Sequence, residues 1–297
     1  MSRWSSVRKA ERTAVLNGFG ISLGDSIIGL QALFAAQRLG SLGRPTLFRR
    51  IDCRPMVQAI YGHAADLADL GDLTDRIPPG FDEVIDIRDF AFDPAFRGVA
   101  MIDFFLRHLG VDPAAVPTSL LRNSWLAPRV RPVAPTGLPE RYVLVCPESS
   151  MALRDMPADV RARIVRTLAE RQDLPVLTQG SAVAGAGVAP HCGSFAELCG
   201  LVAGAACMVS TDTAMLHMAD AFAVPCLAVF TTHRPEWRMR DYPLCEALYL
   251  PVDGLPEALE FSRGDNDLRA VAAAWSSQAD MIVERLVTFL RRQTVAA

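Results

Sequence analysis

The sequence predicts an α/β protein made of two Rossmann-like domains facing a central cleft, and three observations carry that expectation. Short apolar runs of strand length alternate with segments of helical length, and the alternation restarts after a proline-rich stretch. Near the start, an apolar run leads through three glycines into a helix. In the second half, Cys207–Val209 and Cys226–Phe230 have the length of parallel strands and bracket a helical segment, Thr213–Phe222.

In chain order, Thr13–Asn17 reads as a strand, Gly18, Gly20 and Gly24 as a loop, and Asp25 to Leu39 as a helix. Strands at Thr46–Phe48 and Glu83–Ile87, with helices at Pro55–Tyr61 and Ala100–Leu109, continue the pattern. Asp66, Asp69, Asp72 and Asp75 recur every third residue between leucines and read as a solvated face or a series of turns. Between Trp125 and Glu140 lie Pro128, Pro132, Pro135, Gly137 and Pro139, with little that could fill a core. The expected organisation is therefore an N-terminal domain over 1–127, a linker over 128–140 and a C-terminal domain over 141–297. Beyond the linker follow strand Tyr142–Cys146, helix Pro157–Arg171 with Val160, Ile164 and Leu168 on its buried stripe, strand Leu174–Thr178 and helix Ser194–Ala203. The chain closes on a helix from Asp267 to Thr294. Asp265-Asn-Asp267 spells a D-x-D, but it follows a turn and opens that helix, so capping by Asp267 is the better account.

Composition narrows the function. At 297 residues the chain can bury two cores, and a net charge of −3 argues against nucleic acid as a partner. Lys9 is the sole lysine, so any phosphate must be met by arginine. Seven cysteines at 53, 146, 192, 199, 207, 226 and 245 contain no C-x-x-C pair and read as free thiols. Arg3, Arg8, Lys9, Glu11 and Arg12 precede the first strand without forming a convincing signal peptide, and no apolar run reaches the roughly 18 residues of a membrane span. A cytoplasmic protein with at most peripheral membrane contact is expected.

The chemistry concentrates at Met208–Phe230. Asp212 is the natural N-cap of the helix that follows, and the amides of Thr213, Ala214 and Met215 would face the carboxyl edge of the sheet, where the helix dipole favours an anion. Thr213 and His217, four apart, share one side of that helix. An ordinary crossover with a capping Asp is the plainer alternative. Ser210, Thr211, Asp212, Thr213 and His217 crowd one strand end more than folding requires, and phosphate is the expected guest.

With those residues in view, the chain resembles the heptosyltransferase family, glycosyltransferase family 9, whose fold is GT-B. Gly24-Asp25-Ser26-Ile27-Ile28-Gly29-Leu30-Gln31-Ala32-Leu33 is similar to the family's G-D-x-(I/V)-x-x-x-P-A-L, with Gln31 where proline is usual. Cys146-Pro-Glu-Ser149-Ser150 and Arg154-Asp-Met-Pro157 resemble the donor-side strand, hydroxyl pair and (K/R)-x-W-P. Ser210 to Pro225 is similar to S-x-D-(T/S)-G-x-x-H-x-A-x-A-x-x-x-P.

The resemblance implies a metal-independent inverting glycosyltransferase that moves a heptose-like sugar from a nucleoside diphosphate, with an ADP-sugar as first candidate, to a glycan or glycolipid of the cell envelope or another glycosylated acceptor. Asp25 would be the catalytic base. Ser149, Ser150, Arg154, Asp212, Thr213, Ala214 and His217 would hold the donor diphosphate, with Arg154 replacing the usual lysine. Gln179, Gly193 and Arg238 are candidate nucleoside or sugar contacts. No metal and no cofactor are expected. Pro235-Glu-Trp-Arg-Met-Arg-Asp-Tyr-Pro243 resembles a tryptophan-rich tail of some relatives, reaching the ligands through Arg238 or Arg240 or forming a turn packed on Trp237. Ala214 stands where glycine is usual, Phe230-Thr231-Thr232 replaces an aromatic-Gly-Pro turn, and Gln179 begins a loop without the usual ribose-facing acid. Those departures keep two alternatives open: a silent nucleotide or sugar-nucleotide binding protein, and a sugar-nucleotide epimerase of the same fold.

Overall fold

The structure, a computed structural model, describes residues 11–76 and 79–296. Arg3, Arg8 and Lys9 lie outside the described residues. The chain folds as two parallel sheets. The N-terminal one is built from β1 (Thr13–Leu16), β2 (Thr46–Arg49), β3 (Asp69–Asp72) and β4 (Glu83–Asp86) in the order β3-β2-β1-β4. Helices α1 (Leu23–Arg38), α2 (Pro55–Gly62) and α3 (Met101–His108) belong with it. The C-terminal sheet runs β10-β9-β8-β5-β6-β7, from β5 (Tyr142–Cys146), β6 (Val176–Thr178), β7 (Gly187–Val188), β8 (Ala205–Thr211), β9 (Cys226–Phe230) and β10 (Cys245–Tyr249). Its helices are α4 (Ala158–Arg171), α5 (Phe195–Ala203), α6 (Ala214–Ala221), α7 (Asp265–Ser277) and α8 (Ala279–Ala296). Numbered within the domain, that order is 3-2-1-4-5-6 reversed, the doubly wound order of dinucleotide-binding folds.

The central strands explain themselves. Tyr-Val-Leu-Val-Cys in β5 and Cys-Leu-Ala-Val-Phe in β9 are buried at every position, as strands covered on both faces must be. α1 is buried on most of its circumference, and at Gly29 an added Cβ would fall 2.1 Å from the Phe19 side chain, so only glycine lets the helix lie on the preceding turn. Gln31 is fully buried: its Nε2 donates to the Leu120 carbonyl at 2.7 Å and its Oε1 accepts from the Trp125 N–H at 3.1 Å. A proline there could do neither.

One core runs through both lobes. Ile27, Leu30 and Leu33 of α1 belong to the same buried cluster as Phe195 of α5 and Met215 and Leu216 of α6. The outer face of the second sheet has its own core, where Val160, Ile164 and Leu168 of α4 meet Trp275 of α7 and Leu286 and Phe289 of α8.

Several local expectations are corrected. The aspartate series contains an edge strand, β3, which pairs in parallel with β2 from Asp69 opposite Thr46. The terminal helix is two helices that meet at Gln278. α7 is capped by Gly264, while Asp267 sits inside the first turn and accepts from the Arg263 N–H at 2.8 Å and pairs with its guanidinium. All seven cysteines are free. Among the described residues no helix is long and apolar enough to cross a membrane.

Candidate active site

In a doubly wound sheet, ligands bind where neighbouring strands send their crossovers to opposite sides, beyond the carboxyl ends. In the C-terminal lobe that point lies between β5 and β8, and the loop after each supplies a charged side chain. Arg154 ends a short 3₁₀ turn, Ala152–Arg154, whose carbonyl accepts the Thr211 hydroxyl. Asp212 follows β8 directly. Arg154 Nε lies 3.6 Å from Asp212 Oδ2, and its Nη2 donates to Glu260 Oε2 at 3.0 Å. Glu260 Oε1 also faces His233 Nε2 at 3.0 Å and accepts from Arg238 Nη2. His233 Nδ1 closes the ring 3.6 Å from Asp212 Oδ2.

Burial works against every charge in this ring, and the partners decide the outcome. For Asp212 burial acts to raise the carboxyl, but Arg154 and Arg238 outweigh it and hold it below its ordinary value. Glu260 is held far down in the same contest, by His233, Arg238 and Arg154. Arg154 is buried yet kept charged by Asp212, Glu260 and Asp25. His233, lowered first by burial and then by Arg238, is neutral.

Asp25 faces this ring from the N-terminal lobe. Ser22 caps α1, its hydroxyl accepting from the Asp25 N–H at 3.1 Å, so Asp25 is the third helical residue and its carboxylate is not consumed as a cap. The turn before it is unusual. Asn17, Gly18, Phe19 and Gly20 all have positive φ, at 80°, 50°, 71° and 101°. Asn17 Nδ2 donates to the Arg88 carbonyl at 3.1 Å and so ties the end of β1 to the end of β4, the corresponding reversal point of the first sheet. Burial raises the Asp25 carboxyl above 3.8, opposed by Ser22, Arg238 and Arg154.

The N-cap of α6 is Thr213, not Asp212: Thr213 has extended backbone, and the Asp212 carboxylate is turned aside to Arg154 and His233. Ala214 lies on the seam between the lobes, its Cα 3.7 Å from where a Cβ on Gly24 would stand. His217 is on the same seam, against Gly24, with Nδ1 2.9 Å from the Tyr242 hydroxyl, and burial pushes it down to about 4. It is neutral and carries no charge toward a phosphate. Ser149 Oγ is used within its own loop, donating to the Met151 carbonyl at 2.7 Å and accepting from the Met151 N–H at 2.9 Å. Ser150 is exposed. Gln179 follows β6 and Gly193 follows β7, on the far flank of the sheet, and the Gly193 amide is taken by Glu197 at 2.7 Å. The structure thus gathers Asp25, Arg154, Asp212 and Arg238 at one gap, with Thr213 and Ala214 on its wall.

Three residues of the site escaped the sequence reading. His233 lies three residues past β9, a carboxyl-end position that topology could have flagged. Glu260 comes from a stretch between β10 and α7 that matches no motif. Glu148, next to Ser149, accepts from Arg161 Nη1 at 3.1 Å and from the Ser181 N–H at 3.2 Å, so it ties the loop after β5 to the loop after β6. A cavity of about 190 Å³ adjoins the ring, lined by Phe92, Phe96 and Arg97 from one lobe and Trp237, Arg238 and Phe261 from the other. The Arg238 guanidinium lies 5.2 Å from the Phe96 ring centre, and Phe92 and Phe261 stack at 6.0 Å and 18°. Arg240 pairs with Asp103 of α3, a second tie across the lobes.

Comparison with known proteins agrees with this fold. Residues 129–244 match the family model of glycosyltransferase family 9 (heptosyltransferase). The chain is similar in fold to the iron-containing dodecameric heptosyltransferase TibC of enterotoxigenic E. coli, solved with ADP-D-β-D-heptose (TM-score 0.66, 13% identity, covering 94% of this chain and 77% of that one). It is also similar to E. coli heptosyltransferase WaaC with ADP-2-deoxy-2-fluoro heptose (0.56, 16%, 92% and 99%). A family 9 glycosyl transferase from Veillonella parvula scores 0.60 at 12% identity, covering 94% and 97%. No curated protein matches the chain.

Proposed function

We propose that this chain, whose residues 129–244 match the family model of glycosyltransferase family 9, transfers a heptose-like sugar from a nucleoside diphosphate, ADP in the first instance, to a glycosylated acceptor. The observation that carries the reading is the placement of Asp25 across the gap from Arg154 and Arg238, a half-buried carboxylate opposite one half-buried and one buried cation.

That opposition is what the reaction needs. Asp25 takes the proton of an acceptor hydroxyl as its oxygen attacks the anomeric carbon, while the bond to the diphosphate breaks on the opposite face. The leaving group carries away the electron pair, and its charge is met by Arg154, Arg238 and the first amides of α6. Gln179, Gly193 and Glu148 flank the side where the nucleoside would lie. With arginines supplying the charge, the displacement needs no metal, and transfer in excess chelator at the untreated rate is the expected result. The product is expected with anomeric configuration opposite to the donor, read by NMR.

Asp25→Asn keeps the shape and removes the base. It should lower transfer by about 10²–10⁴-fold while nucleoside diphosphate still binds; unchanged transfer would dismiss Asp25 as the base. A binding protein without turnover is the second reading, favoured by the fact that Arg154 and Arg238 already have carboxylate partners. Saturable ADP binding with no consumption of ADP-heptose, with or without acceptor, would select it.

A further inference from the structure

We propose that Arg154, His233 and Arg238 form a phosphate subsite and that Glu260 is its built-in occupant, a carboxylate that a ligand phosphate displaces. The inference rests on the reading of this gap as the donor site, and it adds a residue and an exchange that no motif in the chain announces.

The charge count is the first argument. Arg154 and Arg238 contribute two positive charges, Asp212 and Glu260 two negative ones, and His233 is neutral. The ring as it stands has no surplus for an anion. The diphosphate of a sugar nucleotide brings about two more negative charges at neutral pH, and the departing nucleoside diphosphate about one beyond that. Placed beside the Glu260 carboxylate in a partly buried setting, either anion would meet strong like-charge repulsion. The carboxylate therefore has to leave.

Geometry makes Glu260 suited to leaving. Its two oxygens receive three donors, Arg154 Nη2, His233 Nε2 and Arg238 Nη2, an arrangement that phosphate oxygens can take over donor for donor. Asp212 is different: its side chain is only 5% exposed and lies directly beside the α6 N-terminus. The Glu260 side chain is 25% exposed and lines the neighbouring cavity, so rotation of the side chain alone gives it somewhere to go. The backbone can stay put, since the Leu259 N–H donates to the Thr232 carbonyl at 3.2 Å and the Leu259 side chain is buried in the outer core. While no ligand is bound, Glu260 spares the fold an unpaired, buried Arg238 guanidinium.

The alternative role for Glu260 is a strut that holds the cations in place, and the two roles predict opposite signs. Inorganic pyrophosphate, titrated calorimetrically into wild type, Glu260→Gln and the double variant Glu260→Gln with Arg154→Ala, separates them. Displacement predicts that Glu260→Gln binds pyrophosphate about 10- to 100-fold more tightly than wild type and that the double variant loses the gain. Equal or weaker binding by Glu260→Gln, with wild type still binding, overturns the inference and leaves the donor-site reading standing. No binding by any of them overturns both. Should Glu260→Gln be poorly stable, its melting temperature in pyrophosphate carries the same information: it must rise by more than that of wild type, and a smaller rise overturns the exchange.

Discussion

Asp25 reaches the cleft because the chain is turned sharply just before it. Four successive residues in the left-handed region bring the helix in at Ser22, and the cap role that a sequence reader would give to Asp25 passes to that serine. A base must be ionised to act, and burial raises this carboxyl, so the acid limb of kcat/KM against pH should lie above 3.8, the ordinary value for aspartate. A profile flat down to that value would show that another group accepts the proton. At this scale the sequence disclosed what is contiguous. Asp25, Arg154 and Asp212 stand inside short motifs at strand ends, where spacing alone implies a shared edge. Glu260 and His233 were hidden because their partners are far along the chain and only tertiary packing joins them; the Arg154 to Glu260 pair spans 106 positions. The N-cap of α6 was misread for a related reason, since the Asp212 carboxylate is turned to the Arg154 guanidinium and not to the helix amides.

Elements of the interior were legible, while elements at the rim were not. Strands covered on both faces announce themselves as unbroken apolar runs, whereas β3 reads Asp-Leu-Gly-Asp and β7 is only Gly187–Val188, both held by pairing to a neighbour rather than by burial. α1 depends on Gly29. Gly29→Ala would drive a methyl into Phe19, and a loss of about 1–3 kcal/mol in urea unfolding is expected; a loss below a few tenths would mean that the turn yields freely. α6 carries two buried titratable groups of opposite sense. Asp220, which accepts from the Asn123 N–H at 2.6 Å, is pushed up by burial to about 6, so its contribution to stability is complete below 3.8 and lost as pH rises through 6. His217, pushed down to about 4, contributes fully above 6.5 and loses that contribution as pH falls through 4. In the wild type the two offset each other across that window. Asp220→Asn should leave a protein whose melting temperature climbs from pH 4.5 to 6.5, and His217→Gln one whose melting temperature declines; slopes of the same sign would contradict these environments.

At the level of the molecule, the lobes are joined by more than a hinge. The cluster that fills the first lobe continues through α1 into α5 and α6, and Gly200 of α5 lets the Val133 carbonyl pass within 2.0 Å of where a Cβ would sit. Calorimetry should accordingly record one cooperative transition, and two well-separated endotherms would place the seam among crystal-like surface contacts instead. The two-sheet plan was readable from the repeated alternation, but this continuity was not, because an apolar residue does not declare which lobe it will touch. Its consequence concerns traffic. With Gly24 pressed against Ala214 and His217, the crevice has a fixed back wall, so on the proposed reading sugar and nucleotide would have to pass on the side of the aromatic lip at Phe92 and Phe261.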